Sequence, residues 1–226
     1  MERADRDLAE AVLRASPWLK DGREGLVEPL LRHGRIVRLA PGQWAHAEGD
    51  DEAGVIVVLA GTTDILCKAP GDREVLFGLA GPGAALGQTM RFGGGPRLVT
   101  VICREPCVLL DISDRALARI AVEVPAIWEA VAALLYLQLR SLVHRVVEAT
   151  ALPPRQRLAA RLELLARMAS AAELAVSQEG LGEMVGLTRK TVNAHLGDFE
   201  RAGLIRRAYG RIVLLDRPGL RRLVET

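Results

Sequence analysis

The sequence predicts an α+β protein: an N-terminal β-roll of jelly-roll type, a long dimerisation helix, and a C-terminal winged helix-turn-helix. Three observations predict it. From Arg35 to Ile112, short apolar runs alternate with glycine-rich turns at a spacing of roughly ten residues, as in antiparallel barrels and rolls. From Val124 to Ala151, apolar residues recur with heptad spacing. From Val176 to Ile205, two short segments of helical period flank Gly186, and two helices joined by a glycine turn present their second helix to a DNA major groove.

The elements follow in order. Leu8 to Arg14 and Gly25 to Arg32 read as two short helices, parted by Ser16-Pro17, that cover the roll. The strands are Ile36 to Leu39, Val55 to Leu59, Thr62 to Cys67, Glu74 to Leu79 and Leu98 to Ile102. Their dividers are Pro41-Gly42, Glu48-Gly49-Asp50, Ala60-Gly61, Pro70-Gly71-Asp72, Gly81-Pro82-Gly83 and Gly93-Gly94-Gly95-Pro96. Ser113-Asp114 caps a short helix, and Pro125, at a position where a missing N–H costs nothing, opens the long one, which Pro153-Pro154 halts. Along it Trp128, Ala132, Leu135, Leu139, Leu142, Val146 and Ala149 form an alternating four-three seam, the dimer seam of the expected homodimer. A second stripe, Ile127, Val131, Leu134, Val143 and Val147, is expected to pack on the roll. The expected domains are 1–123 for the roll with its helices, 124–152 for the long helix and hinge, and 153–226 for the winged unit.

Within the winged unit, Arg155 to Met168 forms a lead-in helix through Leu158, Leu162 and Leu165. Ser177 caps the first helix of the pair, with Leu181, Met184 and Val185 inward. Thr188 caps the second, with Val192, Leu196 and Phe199 inward until Gly203. The outward residues carry the chemistry. Arg189 and Lys190 donate to guanine O6 and N7, and Asn193 pairs with adenine. Thr188, Thr191 and Ser177 suit phosphates beside helix N-termini. Arg206-Arg207, Tyr209-Gly210-Arg211 and the run Ile212 to Leu215 read as a basic hairpin wing.

Composition agrees. Half of the 226 residues are apolar, ample for real cores. The N-terminus is charged, and no stretch approaches about 18 uncharged apolar residues, so a cytoplasmic protein with no membrane partner is expected. Three cysteines without a C-x-x-C pair exclude a disulfide framework and an iron-sulfur cluster, leaving open only a redox role for Cys103 and Cys107. There is no nucleophile-base constellation, metal-ligand spacing or P-loop, so no enzyme is expected. Residues 151–226 hold 13 Lys or Arg against 8 Asp or Glu, net +5, and the remainder is net −3. The basic excess lies where phosphate neutralisation needs it.

The roll segment PGAALGQTMRFGGGPRLVTV and the reader segment GLTRKTVNAHLGDFERAGLI, joined by the heptad helix, resemble the Crp/Fnr superfamily of bacterial transcription regulators over nearly the whole chain. The resemblance implies a homodimer on a pseudo-palindromic duplex, an effector pocket in the roll, and RNA polymerase as a further partner of an activator. It places the pocket at Gly87, Gln88, Arg97 and Leu98, with Leu142 and Val143 on the long helix.

The departures from the family pattern are informative. Gln88 replaces the Glu that would bind a ribose hydroxyl, Leu98 replaces a phosphate-binding Ser or Thr, and Leu142 and Val143 replace adenine-contacting hydroxyls. Each such polar group is worth about 1–3 kcal/mol, so their replacement argues against tight cyclic AMP binding. An exposed Arg97 after the glycine-rich turn is an equal reading of that residue. The iron-sulfur branch is excluded by ligand count, and His33, His46 and His144 read as structural rather than haem ligands. The effector and cofactor stay unknown. In the reader, Lys190 and Ala194 depart from the family's Glu and Arg, so the preferred duplex should differ. Two alternatives remain: a cyclic-nucleotide-activated regulator, and a ligand-binding module whose winged helix binds a protein.

Overall fold

The computed structural model describes residues 2–20, 23–52, 54–88, 95–169, 172–208 and 210–225, with Ala169 described by its backbone alone. Residues 89–94 of the roll motif and Tyr209 of the wing lie outside the described residues. Two compact units emerge: Met1–Glu74 with Leu79–Ser141, and Leu142–Thr226 with Val75–Gly78.

The first unit opens with helices α1 (Arg3–Ala15) and α2 (Val27–His33), followed by strands β1 (Arg35–Leu39), β2 (Trp44–His46), β3 (Gly54–Ala60), β4 (Thr63–Ala69), β5 (Arg73–Ala80), β6 (Ala85–Leu86), β7 (Thr100–Cys103) and β8 (Cys107–Ser113). They form two four-stranded sheets, ordered β1-β8-β3-β6 and β2-β7-β4-β5. Strand β8, which the turn pattern does not announce, is central: it pairs antiparallel with β1, Leu110 opposite Ile36, and with β3, Leu110 opposite Val57.

Strand β3, GVIVVLA, is buried along almost its whole length because both its faces are covered. Val55, Val57 and Leu59 join Leu110 and Ile112 in a core closed by Leu13, Leu30, Leu117 and Ile120 from helices. Ile56 and Val58 face Leu109, Cys103 and Cys107 on the other side. Burial pushes the Cys103 thiol up to about 12, and Cys107 is raised too, so neither is a thiolate at neutral pH.

Ser113 Oγ accepts the Ala116 N–H to cap α3 (Asp114–Glu123), and α4 (Ile127–Ala151) is the long helix. Its first turns are buried through Ile127, Ala130, Val131 and Leu134, with Trp128 and Leu137 against the same core. Two expectations are corrected. Trp128 faces this core rather than extending the outward seam, and Val143 and Val147 of the inward stripe are exposed. The reason is length: 25 residues rise about 37 Å, beyond what the core of the first unit covers. By length and hydropathy alone α4 could also cross a membrane, contrary to the expectation from composition, yet it carries Glu129, Arg140, Arg145 and Glu148.

The second unit holds α5 (Pro154–Ala169), β9 (Glu173–Leu174), α6 (Gln178–Val185), α7 (Arg189–Arg201), β10 (Ile205–Ala208), β11 (Arg211–Leu214) and α8 (Arg217–Glu225). The three strands form one antiparallel sheet, β10-β11-β9. Helix α8 is tied to α5 by Glu163, whose carboxylate accepts from Arg217 Nε at 3.1 Å and Nη2 at 2.9 Å.

Candidate nucleic-acid interface and effector pocket

Helices α6 and α7 meet through Gly186, whose φ of 66° and ψ of 40° place it in the left-handed region that favours glycine. Ser177 Oγ accepts the Gly180 N–H at 3.0 Å to start α6, and Thr188 Oγ1 accepts the Thr191 N–H at 3.2 Å to start α7. Val192, Leu196 and Phe199 are buried together, so one face of α7 is fixed inward. Arg189, Lys190, Asn193 and Ala194 are consequently exposed on the opposite side. The Thr188 and Thr191 hydroxyls lie 2.9 Å apart, so one proton is spent between them and one remains for an acceptor outside. The Ser177 hydroxyl, accepting from the backbone, keeps its own proton to donate.

Sequence reasoning missed how the wing enters this face. Arg207 on β10 donates its backbone N–H and its Nε to the two oxygens of Glu200, each at 2.8 Å, and its Nη1 to Asn193 Oδ1 at 3.0 Å. Gln178 Nε2 donates to the same Asn193 oxygen at 3.2 Å. The Arg207 backbone N–H, and then its guanidinium, hold the Glu200 carboxyl below the usual carboxylate range. A cleft of about 470 Å³ opens here, lined among others by Ser177, Gln178, Arg189, Arg207 and Arg211. Three arginines against the single carboxylate of Glu179 give its lining a basic excess that suits an anionic backbone.

In the roll, Arg97 is only 6% exposed, and its Nε and Nη1 have no hydrogen-bond partner among the described residues. The expectation of an exposed arginine is corrected. Gly87 makes the burial feasible: its φ is 94°, and a Cβ there would stand 1.7 Å from Arg97 Nη1. Gln88, 1% exposed, donates Nε2 to Gln138 Oε1 at 2.6 Å, and Gln138 Nε2 donates to the Ala85 carbonyl at 2.9 Å. The Gln88 Oε1 is buried without a donor among the described residues. Arg97 and Gln88 thus hold guanidinium hydrogens and an acceptor unused among the described residues, and buried groups of that kind are costly unless something satisfies them. Leu98 departs from its expected place in this lining, being 63% exposed, and Leu142 and Val143 are also exposed.

Beside Arg97 sits His46, pushed down to about 4 by burial and then by the Arg97 charge, with Asp50 opposing. The folded state therefore holds the ring neutral, while the unfolded chain takes a proton near 6.5. This contribution to stability is complete above pH 6.5 and is lost as pH falls from there towards 4, by about 3 kcal/mol. Urea unfolding at pH values of about 7.5 and 4.5 should show that extra loss in the wild type and not in His46→Gln; parallel losses in both would show the imidazole to be irrelevant.

Comparisons with known proteins match the two segments that carry these residues. Residues 36–123 match the cyclic nucleotide-binding domain, and residues 156–223 match the Crp-like helix-turn-helix domain. A CRP-like cAMP-activated global transcriptional regulator of Mycobacterium tuberculosis is 28% identical over 182 residues, 77% of this chain and 81% of that protein. Among solved structures, the c-di-GMP responsive global regulator CLP of Xanthomonas campestris superposes with a TM-score of 0.71 at 24% identity, covering 84% of this chain and 98% of that one. FixK2 of Bradyrhizobium japonicum gives 0.72 at 19% identity, covering 84% and 96%. At these identities the two structures speak to the fold.

Proposed function

Because the chain belongs to the Crp/Fnr superfamily of transcription regulators, we propose that it reads duplex DNA as a homodimer under the control of an anionic effector other than cyclic AMP. The observation that carries the reading is the outward face of α7, where Arg189, Lys190 and Asn193 stand opposite Val192, Leu196 and Phe199, with capped helix N-termini beside them. Two copies, joined along Leu135, Leu139, Leu142 and Val146, would place two such faces about one duplex turn apart on a pseudo-palindrome. Outward exposure of Leu139, 59%, and Val146, 54%, supports that seam.

Selection of bound sequences from a randomised duplex library, with and without cyclic AMP, tests the proposal. A palindrome enriched equally in both arms supports it, and enrichment confined to the cyclic AMP arm rejects the effector part. Arg189→Ala should weaken the best site by about 1–3 kcal/mol, roughly 5- to 150-fold, and relax one base position in each half-site. An equal loss on every sequence would make Arg189 a phosphate contact instead.

A second reading, activation by a cyclic nucleotide, is favoured by one observation: the buried guanidinium of Arg97 against Gly87, with hydrogens still to be used. Against it stands Gln88, whose unused Oε1 offers a ribose hydroxyl a neutral amide acceptor in place of a charged carboxylate. Titration calorimetry with cyclic AMP and cyclic GMP separates the two readings.

A further inference from the structure

The side-chain amide of Asn193 is held by two donors on one atom. Arg207 Nη1 lies 3.0 Å and Gln178 Nε2 lies 3.2 Å from Asn193 Oδ1. A guanidinium has hydrogens and no acceptor, so the Asn193 atom facing Arg207 must be the oxygen. Gln178, whose own amide can turn over, then has to offer its nitrogen to the same atom. Arg207 in turn cannot swing away freely, because its Nε and its backbone N–H both bind the Glu200 carboxylate at 2.8 Å. Asn193, Gly197 and Glu200 fall on one stripe of α7, four and then three residues apart, and the guanidinium runs along it. A Cβ on Gly197 would lie 4.0 Å from Arg207 Nη2, so the helix is bare where the arginine crosses.

We propose that Arg207 is a positioning residue for base selection, turning the Asn193 oxygen inward so that Asn193 presents only its amide hydrogens to the duplex. The inference rests on the DNA-reading function proposed above and gives that face a base preference. Bidentate recognition of adenine requires the Asn oxygen to accept from N6 while the nitrogen donates to N7. With the oxygen occupied, that pairing is closed. The two amide hydrogens instead match edges that only accept: guanine N7 and O6, or thymine O4. The general expectation of an Asn–adenine pair is therefore reversed at this position by a residue of the wing, 14 positions along the chain.

The test compares duplexes selected from a randomised library by the full-length wild type, Arg207→Met, Arg207→Lys and Asn193→Ala. Arg207→Met keeps an unbranched stem but removes the donors, so one base column in each half-site should move from guanine or thymine to adenine. Arg207→Lys still has hydrogens to give the oxygen and should keep the wild-type column. Asn193→Ala should flatten that same column. Three results overturn the proposal: a wild-type column that already prefers adenine, a loss in Arg207→Met spread evenly over all positions, or a shift in a column that Asn193→Ala leaves intact. Thermal melts of each variant, followed by circular dichroism, separate misfolding from altered reading. If Arg207→Met does not fold, Glu200→Gln, which loosens the clamp and leaves the guanidinium, should give a partial shift in the same column, and no shift there overturns the proposal. A wild type that enriches no sequence and whose binding to bulk duplex lacks a steep salt dependence would instead reject the underlying DNA-reading function.

Discussion

Leu139→Glu combined with Val146→Glu is expected to leave the chain folded, render it monomeric and lower affinity for a palindromic duplex by roughly 100-fold or more. Both side chains lie on the exposed side of α4 and take no part in the core, so the substitutions remove nothing the single chain needs. In the proposed dimer each glutamate would face its symmetry mate or an apolar neighbour across the seam, and burying unpaired carboxylates costs more than leaving the chains apart. Loss of the second reader removes an effective concentration that multiplies the affinity of two linked half-site contacts by about 10² to 10⁴. Sedimentation velocity reports the mass, and gel shifts with full and half operators report the reading. A doubly substituted chain that still sediments as a dimer would place the interface elsewhere.

Phe199→Ala should destabilise the second unit by about 3–5 kcal/mol. The ring is fully buried on the inward face of α7 with Val192 and Leu196, and the Arg155 guanidinium stands 5.7 Å from its centroid. Truncation removes apolar packing and leaves a cavity that helices capped at Ser177 and Thr188 can close only in part. Urea unfolding followed by circular dichroism should show the early transition of a weakened winged unit. A loss below about 1 kcal/mol would mean that this core collapses around the gap.

The order of elements is legible because each leaves a local signature. The capped pair of helices around Gly186 is the clearest case, since Ser177, Thr188 and Gly186 each act within a few residues of themselves. Strand β8 escapes because its boundary, at Glu105-Pro106, carries no glycine, and because Cys107 to Ile112 is apolar enough to read as an appendage of the helix that follows. Helix α8 escapes because Pro218-Gly219 reads as a turn. A better reading is available there: Asp216 Oδ1 accepts the Gly219 N–H at 2.8 Å, the cap that an Asp two residues before a proline announces.

The sites are less legible than the elements, for a different physical reason. Heptad spacing specifies two apolar stripes on α4 without saying which one meets the core, which is how Trp128 comes to be expected outward. The Gln88–Gln138 pair spans 50 residues and the Arg207–Asn193 pair spans 14, and both depend on the register of strands and helices brought together only in the folded chain. Arg97 can be read as exposed or buried, because what decides it is the missing Cβ at Gly87.

Gln138 and Leu139 are neighbours on one turn of α4: the first is hydrogen-bonded to Gln88 and Ala85 inside the roll, the second belongs to the proposed seam. A molecule that competes for the Gln138 amide would act on the same turn that the second subunit of the proposed dimer would grip. Sensing and self-association then share one free energy, so the dose of effector needed for half-maximal response should drift with the number of protein copies present. A cell that made more of this regulator would change its threshold as well as its output.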